Sequence, residues 1–357
     1  MELGVSVYLA YELDEIKAVL QKAASNNFKY AFTSLHIPED DTSKYIDKIK
    51  GLVEECKRLK LYPMVDVSPR ALKMLGINEF NELHDLGIEH LRLDFGFSYD
   101  EIAKLSEQFI LIFNASTLNK ETYIELSKRN INFNNVYGCH NFYPKKYTAL
   151  TEEKVKDINI RIHGYGMKTM AFVMGDDKLR APMFEGLPTI EKQRNNDVLY
   201  NALVLDKKLD TDIIIVGDFG LKDETFRQFA NYQNGFIEIP CTIKPQYESF
   251  LNYIHHDRFD NSEFFIRSSE SIYKYKIDYR IEAENTIDRK PGDICVSNTN
   301  YLRYNGELEI MKKDLPSDNR VNVIGQVDTK YLDFIDEHLG IKLIKKFANA
   351  HVIWTNS

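Results

Sequence analysis

Val136-Tyr137-Gly138-Cys139-His140-Asn141-Phe142-Tyr143 decides how the rest of the chain reads, because a short apolar strand runs directly into polar and aromatic groups. Four earlier apolar runs finish in the same way, at Ser34, Asp66, Asp94 and Asn114. Strand after strand closing on carboxylates, amides and an imidazole is economical only where those ends meet. They meet in this manner at the C-terminal mouth of a (β/α)8 barrel.

Working outward, eight candidate strands occupy Leu3–Tyr8, Lys29–Ser34, Tyr62–Asp66, His90–Asp94, Phe109–Asn114, Asn135–Gly138, Lys168–Val173 and Asp212–Val216. Helical patterns fill most of the gaps; in Ser43–Leu59 the apolar residues recur at Ile46, Ile49, Leu52 and Val53. Dense apolar strands alternating with helices predict a parallel sheet covered on both faces. Eight such units in about 220 residues match the usual barrel of about 250. A doubly wound sheet would favour fewer strands and a Gly-rich phosphate turn after the first, whereas this chain continues Leu9-Ala10-Tyr11-Glu12. The long connection after the seventh strand, Met174 through Pro188, carries Gly175, Pro182 and Gly186 and reads as an active-site lid.

After Gly235 the pattern changes. Phe236–Ile239, Phe264–Arg267, Lys274–Arg280, Ile294–Ser297, Glu307–Ile310 and Val321–Ile324 read as strands, with Asn305-Gly306 as a hairpin turn and Lys330–Leu339 as a late helix. The expected organisation is therefore an α/β barrel over residues 1–235 and a small β-rich domain over 236–357.

Composition narrows the chemistry. The 357 residues are 43% hydrophobic with a net charge of −8, enough apolar material for a large core and the wrong sign for a phosphate backbone. No nucleic-acid partner is expected. Cys56, Cys139, Cys241 and Cys295 are far apart and form no CxxC pair, which argues against a zinc site and for reduced thiols in a cytoplasmic setting. Met1–Tyr8 reads as a first strand and not as a signal peptide, and no run approaches a membrane span. Neither a metal nor a cofactor is expected, and oligomeric state is open, a homodimer included.

Several strand ends hold chemistry, each with a plainer reading beside it. Asp94 closes its strand before Phe95-Gly96-Phe97 and needs either a structural partner such as Arg92 or a chemical task. Asp66 closes Met64-Val65-Asp66 or caps the turn behind it. Asn114 either holds a sugar hydroxyl or caps the next helix. His140, Asn141 and Tyr143 offer the polar rim and aromatic face that suit a sugar ring, or pack the lid. Glu185, on the lid beside Phe184 and Gly186, is placed to act as a general acid. Glu191 and Arg194 are spaced as an i,i+3 surface pair. Carboxylates at one mouth fit glycoside hydrolysis, and they also line isomerases and lyases built on the same barrel. A sugar-phosphate sensor that binds without turnover is the reading from another class. No HExxH, Walker A or Gly-x-Ser-x-Gly motif occurs.

The runs Leu93–Phe97, Gly138–Pro144, Glu185–Glu191 with Arg194, Arg267–Glu270 and Tyr304–Leu308, in this order, resemble the MupG-type 6-phospho-N-acetylmuramidase family over essentially the whole chain. The resemblance implies a TIM barrel followed by a cyclophilin-like β-barrel domain. It implies cytoplasmic cleavage of 6-phospho-N-acetylmuramyl-N-acetylglucosamine during cell-wall recycling. On this reading Asp94, Glu185 and Asp66 are the catalytic candidates, and which of them protonates the leaving oxygen is open. Asn114, His140, Asn141 and Tyr143 would hold the sugar, and Arg194 or Arg267 the phosphate. Relatives carry Tyr-Pro-Glu after the first strand, where this chain has Tyr8-Leu9-Ala10-Tyr11-Glu12, so Glu12 is the candidate for that glutamate.

Overall fold

The structure, a computed structural model, describes residues 1–35, 45–74, 77, 79–274 and 280–346. The chain divides into two units, Met1–Phe229 and Ala230–Ser357.

In the first unit β1 (Glu2–Ser6), β2 (Tyr30–Ser34), β3 (Tyr62–Val67), β4 (His90–Leu93), β5 (Ile110–Asn114), β6 (Val136–Cys139), β7 (Lys168–Val173) and β8 (Ile213–Phe219) close into an eight-stranded barrel. Every neighbouring pair is parallel, including the β1–β8 seam. The apolar runs explain this. One side of each strand fills the barrel, where Tyr30, Phe32, Met64, Ile112, Tyr137, Cys139, Met170, Phe172, Ile213 and Ile215 form one buried cluster. The other side lies under helices. The helix Leu13–Ser25 buries Ile16, Leu20 and Ala23, spaced four and three residues apart. Burial of Ile16 and Leu20 contributes about 2 kcal/mol each.

The helix Glu152–Gly164 is capped by Thr151, whose hydroxyl accepts from the Lys154 N–H. It presses closely on β6: a Cβ at Gly138 would stand 2.4 Å from Ile162 Cδ1. A side chain there would force the Ile162 side chain to move aside.

β1 stops at Ser6, short of the expected Tyr8, and β8 runs to Phe219, three residues beyond Val216. An irregularity between Val5 and Ser6 shifts the register so that Ser6 pairs with Phe219. This extension carries Asp218 to the barrel mouth, where it meets the lid.

In the second unit β9 (Phe236–Ile243), β10 (Ile254–His255), β11 (Phe265–Arg267), β12 (Asp293–Ser297), β13 (Leu308–Met311), β14 (Val321–Val327) and β15 (Gly340–Lys345) form one sheet in the order β10-β15-β9-β14-β12-β13-β11. β15 runs parallel to β9 and the other pairs are antiparallel. The sheet curls until its edges touch: the Ser269 N–H donates to the His256 carbonyl, and His255 Nδ1 lies 2.9 Å from Ser268 Oγ.

Three expectations for this unit change. The strand expected over Lys274–Arg280 falls mostly on residues 275–279, outside the described residues. The late helix is only a short 3₁₀ turn, Thr329–Phe334. Asp336 then accepts from the His338 and Leu339 N–H groups and turns the chain into β15. Asn305-Gly306 does not close a two-residue hairpin. β12 and β13 pair, but a longer connection with a 3₁₀ turn at Thr299–Tyr304 joins them. Gly306 takes the left-handed φ of +90° at its end. Among the described residues no helix is long and apolar enough to cross a membrane.

Candidate active site

Alternation along the strands decides which strand-end residues face the barrel interior. Ser34 stands opposite Asp66, and Asp66 opposite Arg92. All three share the inward parity of Phe32 and Met64, one layer nearer the mouth. They bond as the register dictates. The Ser34 hydroxyl donates to Asp66 Oδ2 at 3.1 Å, and the Arg92 guanidinium donates to Asp66 Oδ1 at 2.8 Å and to Asn141 Oδ1 at 2.5 Å. The Thr189 hydroxyl donates to the Asn141 carbonyl at 3.0 Å, joining the lid to this network. Four strands and the lid are thus tied through one buried ion pair, whose side chains are 11% and 13% exposed. Arg92, considered in the sequence as a partner for Asp94, serves Asp66.

Asp94 follows β4 one step beyond Arg92 in the same parity. It is half-buried, and among the described residues no donor reaches its carboxylate. Arg92 lies near enough for their charges to interact. Asp94 lines a cavity of about 330 Å³ together with Asn114, Phe97, Tyr99 and Thr117. Asn114 Oδ1 accepts from the Ser116 N–H, which fixes the side chain and leaves its amide N–H groups for another partner. Phe95, 80% exposed, stands beside this cavity as an apolar face in water.

His140 has the opposite parity. It is fully buried, and its Nε2 lies 2.8 Å from Asn159 Oδ1 on the helix behind β6. Burial pushes its imidazole down to about 4, so it is neutral near pH 7. Asn159 in turn donates to the Leu209 carbonyl and to Thr211 Oγ1. His140 therefore secures β6 from outside the barrel, while Asn141, its neighbour, reaches the mouth.

The lid is a worked structure. Arg194, with a side chain only 5% exposed, donates to both oxygens of Glu191 at 2.7 and 2.8 Å. It also donates to the carbonyls of Glu185, Gly186 and Tyr143. Its guanidinium holds the Glu191 carboxyl at about 2, well below the usual carboxylate range. Asp218 grips the lid from β8. One of its oxygens accepts from the Gly175 and Leu187 N–H groups and the other from the Arg180 N–H. Gly175 is required there, because a Cβ would meet the Gly220 carbonyl at 2.6 Å. Glu185 is part-exposed and pairs with Lys146 at 2.5 Å, joining the lid to the segment after β6.

The remaining candidates are spread more widely. Tyr143 is half-buried, and its N–H donates to the Pro188 carbonyl. Burial pushes its hydroxyl up, and a hydrogen bond with Ser116 opposes that shift. Glu12 is exposed on the loop after β1, 3.8 Å from Lys48. Arg267 lies in the second unit, where it donates to Glu307 at 2.6 Å. The first unit thus gathers Asp66, Asp94, Asn114 and Asn141 at the mouth, with Glu185 and Arg194 in the lid. Sequence reasoning passed over Asp218, although it follows an apolar strand as Asp66 does. Among the described residues no cluster of His, Cys, Asp and Glu could hold a metal ion.

Comparison with known proteins now bears on this geometry. The family described as 6-phospho-N-acetylmuramidase matches with its N-terminal part over residues 3–231 and its C-terminal part over residues 237–348. A conserved Enterococcus faecalis protein of unknown function is similar at 29% identity, with 97% of each chain covered and a TM-score of 0.84. An uncharacterised B. cereus protein shares the fold at 23% identity, with 96% of this chain and 99% of that one covered and a TM-score of 0.75. No curated protein matches. Matched by both parts of the family in order, the chain belongs to the 6-phospho-N-acetylmuramidase family.

Proposed function

We propose that the protein hydrolyses 6-phospho-N-acetylmuramyl-N-acetylglucosamine to 6-phospho-N-acetylmuramic acid and N-acetylglucosamine. The observation that carries this reading is Asp94, a half-buried carboxylate that no donor among the described residues satisfies, on a cavity it shares with an amide at a barrel mouth. Family membership supplies the substrate class. Glycoside cleavage needs a proton for the leaving oxygen and a second carboxylate for the developing positive charge or the attacking water. Asp94 is one of the two. Glu185, on the lid, is the other: as a carboxylate it pairs with the Lys146 ammonium, and taking up a proton to give to the leaving oxygen would break that pair. Asp66 acts through Arg92, holding the guanidinium and, through it, Asn141. Asn114, Asn141 and Tyr143 position the sugar, Glu12 closes the rim, and His140 fixes β6 beneath Asn141.

The reaction belongs to cell-wall recycling in the cytoplasm. The four cysteines are free and buried, in keeping with a reducing compartment. The cyclophilin-like character of the second unit is part of the same reading; its curled sheet supports it.

Incubation of the purified protein with the phosphorylated disaccharide, followed by mass analysis, tests the proposal. Release of N-acetylglucosamine with uptake of one water is expected. An isomer or an unsaturated product would replace hydrolysis with isomerase or lyase chemistry. Thermal stabilisation by the disaccharide with no product would make the protein a sensor.

A further inference from the structure

A cation with free N–H donors suits a phosphomonoester, and Arg92 and Arg194, which join the barrel's polar network and lid, are already engaged. Arg92 donates to Asp66 and Asn141, and Arg194 to Glu191 and four carbonyls. Lys178, beside the mouth, is neutralised by Glu15 at 2.7 Å. Arg180 differs. Among the described residues no carboxylate or carbonyl accepts from its guanidinium. Asp218, whose charge reaches Arg180, has both oxygens occupied by main-chain N–H groups, one of them that of Arg180 itself.

The guanidinium is nevertheless well placed. It lies 4.7 Å from the ring centroid of Tyr8 and 6.0 Å from that of Phe142. Phe142 packs in turn on Phe172 and Phe32 of the barrel interior. Tyr8 is itself fixed, fully buried with its hydroxyl donating to the Gly217 carbonyl. Stacking on aromatic faces holds a guanidinium flat and leaves its edge donors unused. Arg180 lines a cavity of about 260 Å³ together with Tyr8, Ala10, Tyr11, Ala181 and Phe184.

We infer that Arg180 is the phosphate-recognition residue, gripping the 6-phosphate of the bound sugar through two N–H donors in this cavity. The inference rests on the phosphosugar reading above and assigns its anion subsite to the lid. Bidentate guanidinium–phosphate contacts of this kind are charge-assisted and geometrically specific.

Titration calorimetry with N-acetylmuramic acid 6-phosphate and with unphosphorylated N-acetylmuramic acid tests this on the full chain. The wild-type protein should prefer the phosphorylated sugar. Arg180→Ala and Arg180→Met should each weaken the phosphorylated sugar by about 10–100-fold. Both should leave the unphosphorylated one within twofold, and Arg180→Lys should recover part of the loss. Lowering the pH through the second ionisation of the phosphate, near 6, should weaken wild-type binding and barely affect Arg180→Ala. A wild-type preference that survives in Arg180→Ala and Arg180→Met would overturn the inference while leaving the phosphosugar reading intact. A wild-type protein indifferent to the phosphate would instead remove that reading and the inference with it.

Discussion

On one side of the barrel mouth Asp66 sits between the Ser34 hydroxyl and the Arg92 guanidinium, and Arg92 passes the link to Asn141. On the side between β4 and β5, Asp94 faces a cavity with no donor on its oxygens among the described residues. Both aspartates stand at the ends of apolar parallel strands, in the same parity as the inward-facing Met64 and Arg92. The difference is in what surrounds them. A buried polar group that is satisfied by its neighbours is part of the framework, and one that is not is held for something else. The same distinction separates Arg194 from Arg180 in the lid.

The sharpest way to break this comparison is Asp94→Asn. It removes a carboxylate that accepts no hydrogen bond among the described residues and keeps its shape, so thermal unfolding should move by no more than about 2 °C. Release of N-acetylglucosamine should fall by about 1,000-fold or more, equivalent to roughly 4 kcal/mol of barrier. Near wild-type turnover would take Asp94 out of the chemistry. Asp66→Asn should do the reverse in kind. Stripping Arg92 of its counter-charge in a buried setting costs about 3 kcal/mol of stability by urea unfolding. Adding Arg92→Met should return part of that loss, because no uncompensated cation is then left. An Asp66→Asn protein as stable as wild type would place Asp66 with Asp94.

The smallest expected effect concerns Glu191, on the satisfied side. Its carboxyl is held at about 2 against an ordinary 4.5. A depressed carboxyl stabilises the fold fully above its ordinary value, and the contribution fades as pH falls through 4.5 toward 2. Glu191→Gln should therefore lose about 1–2 kcal/mol at neutral pH, allowing for partial solvent access. The stabilities of mutant and wild type should converge as the buffer is taken to strongly acid pH. A gap that stays constant with pH would mean that the Glu191 charge contributes nothing to holding Arg194 and the lid.

The barrel was legible because each strand is a dense apolar run, and burial on both faces leaves little else for such runs to do. Its mouth was legible only in part. His140 and Asn141 are neighbours with opposite fates, and choosing between them needs the parity of β6, which Gly138 against Ile162 fixes in three dimensions. Asp218 lies just past the apolar run of β8, which ends at Val216; the register shift at Ser6 extends the pairing. Arg180 lies in a connection with no periodicity, and its standing depends on which acids are already committed elsewhere. Lys330–Leu339 has the apolar content of a helix, but Asp336 captures two N–H groups and bends the chain away.

The strand order of the second unit has a further consequence. β15 follows every other strand of its sheet in the chain, yet it lies between β10 and β9. During synthesis β9 through β14 must wait with an open seam that only the last strand can fill, whereas the barrel is complete once β8 has emerged. The two units should thus mature at different times on the ribosome, with the unfilled seam the more exposed to mispairing.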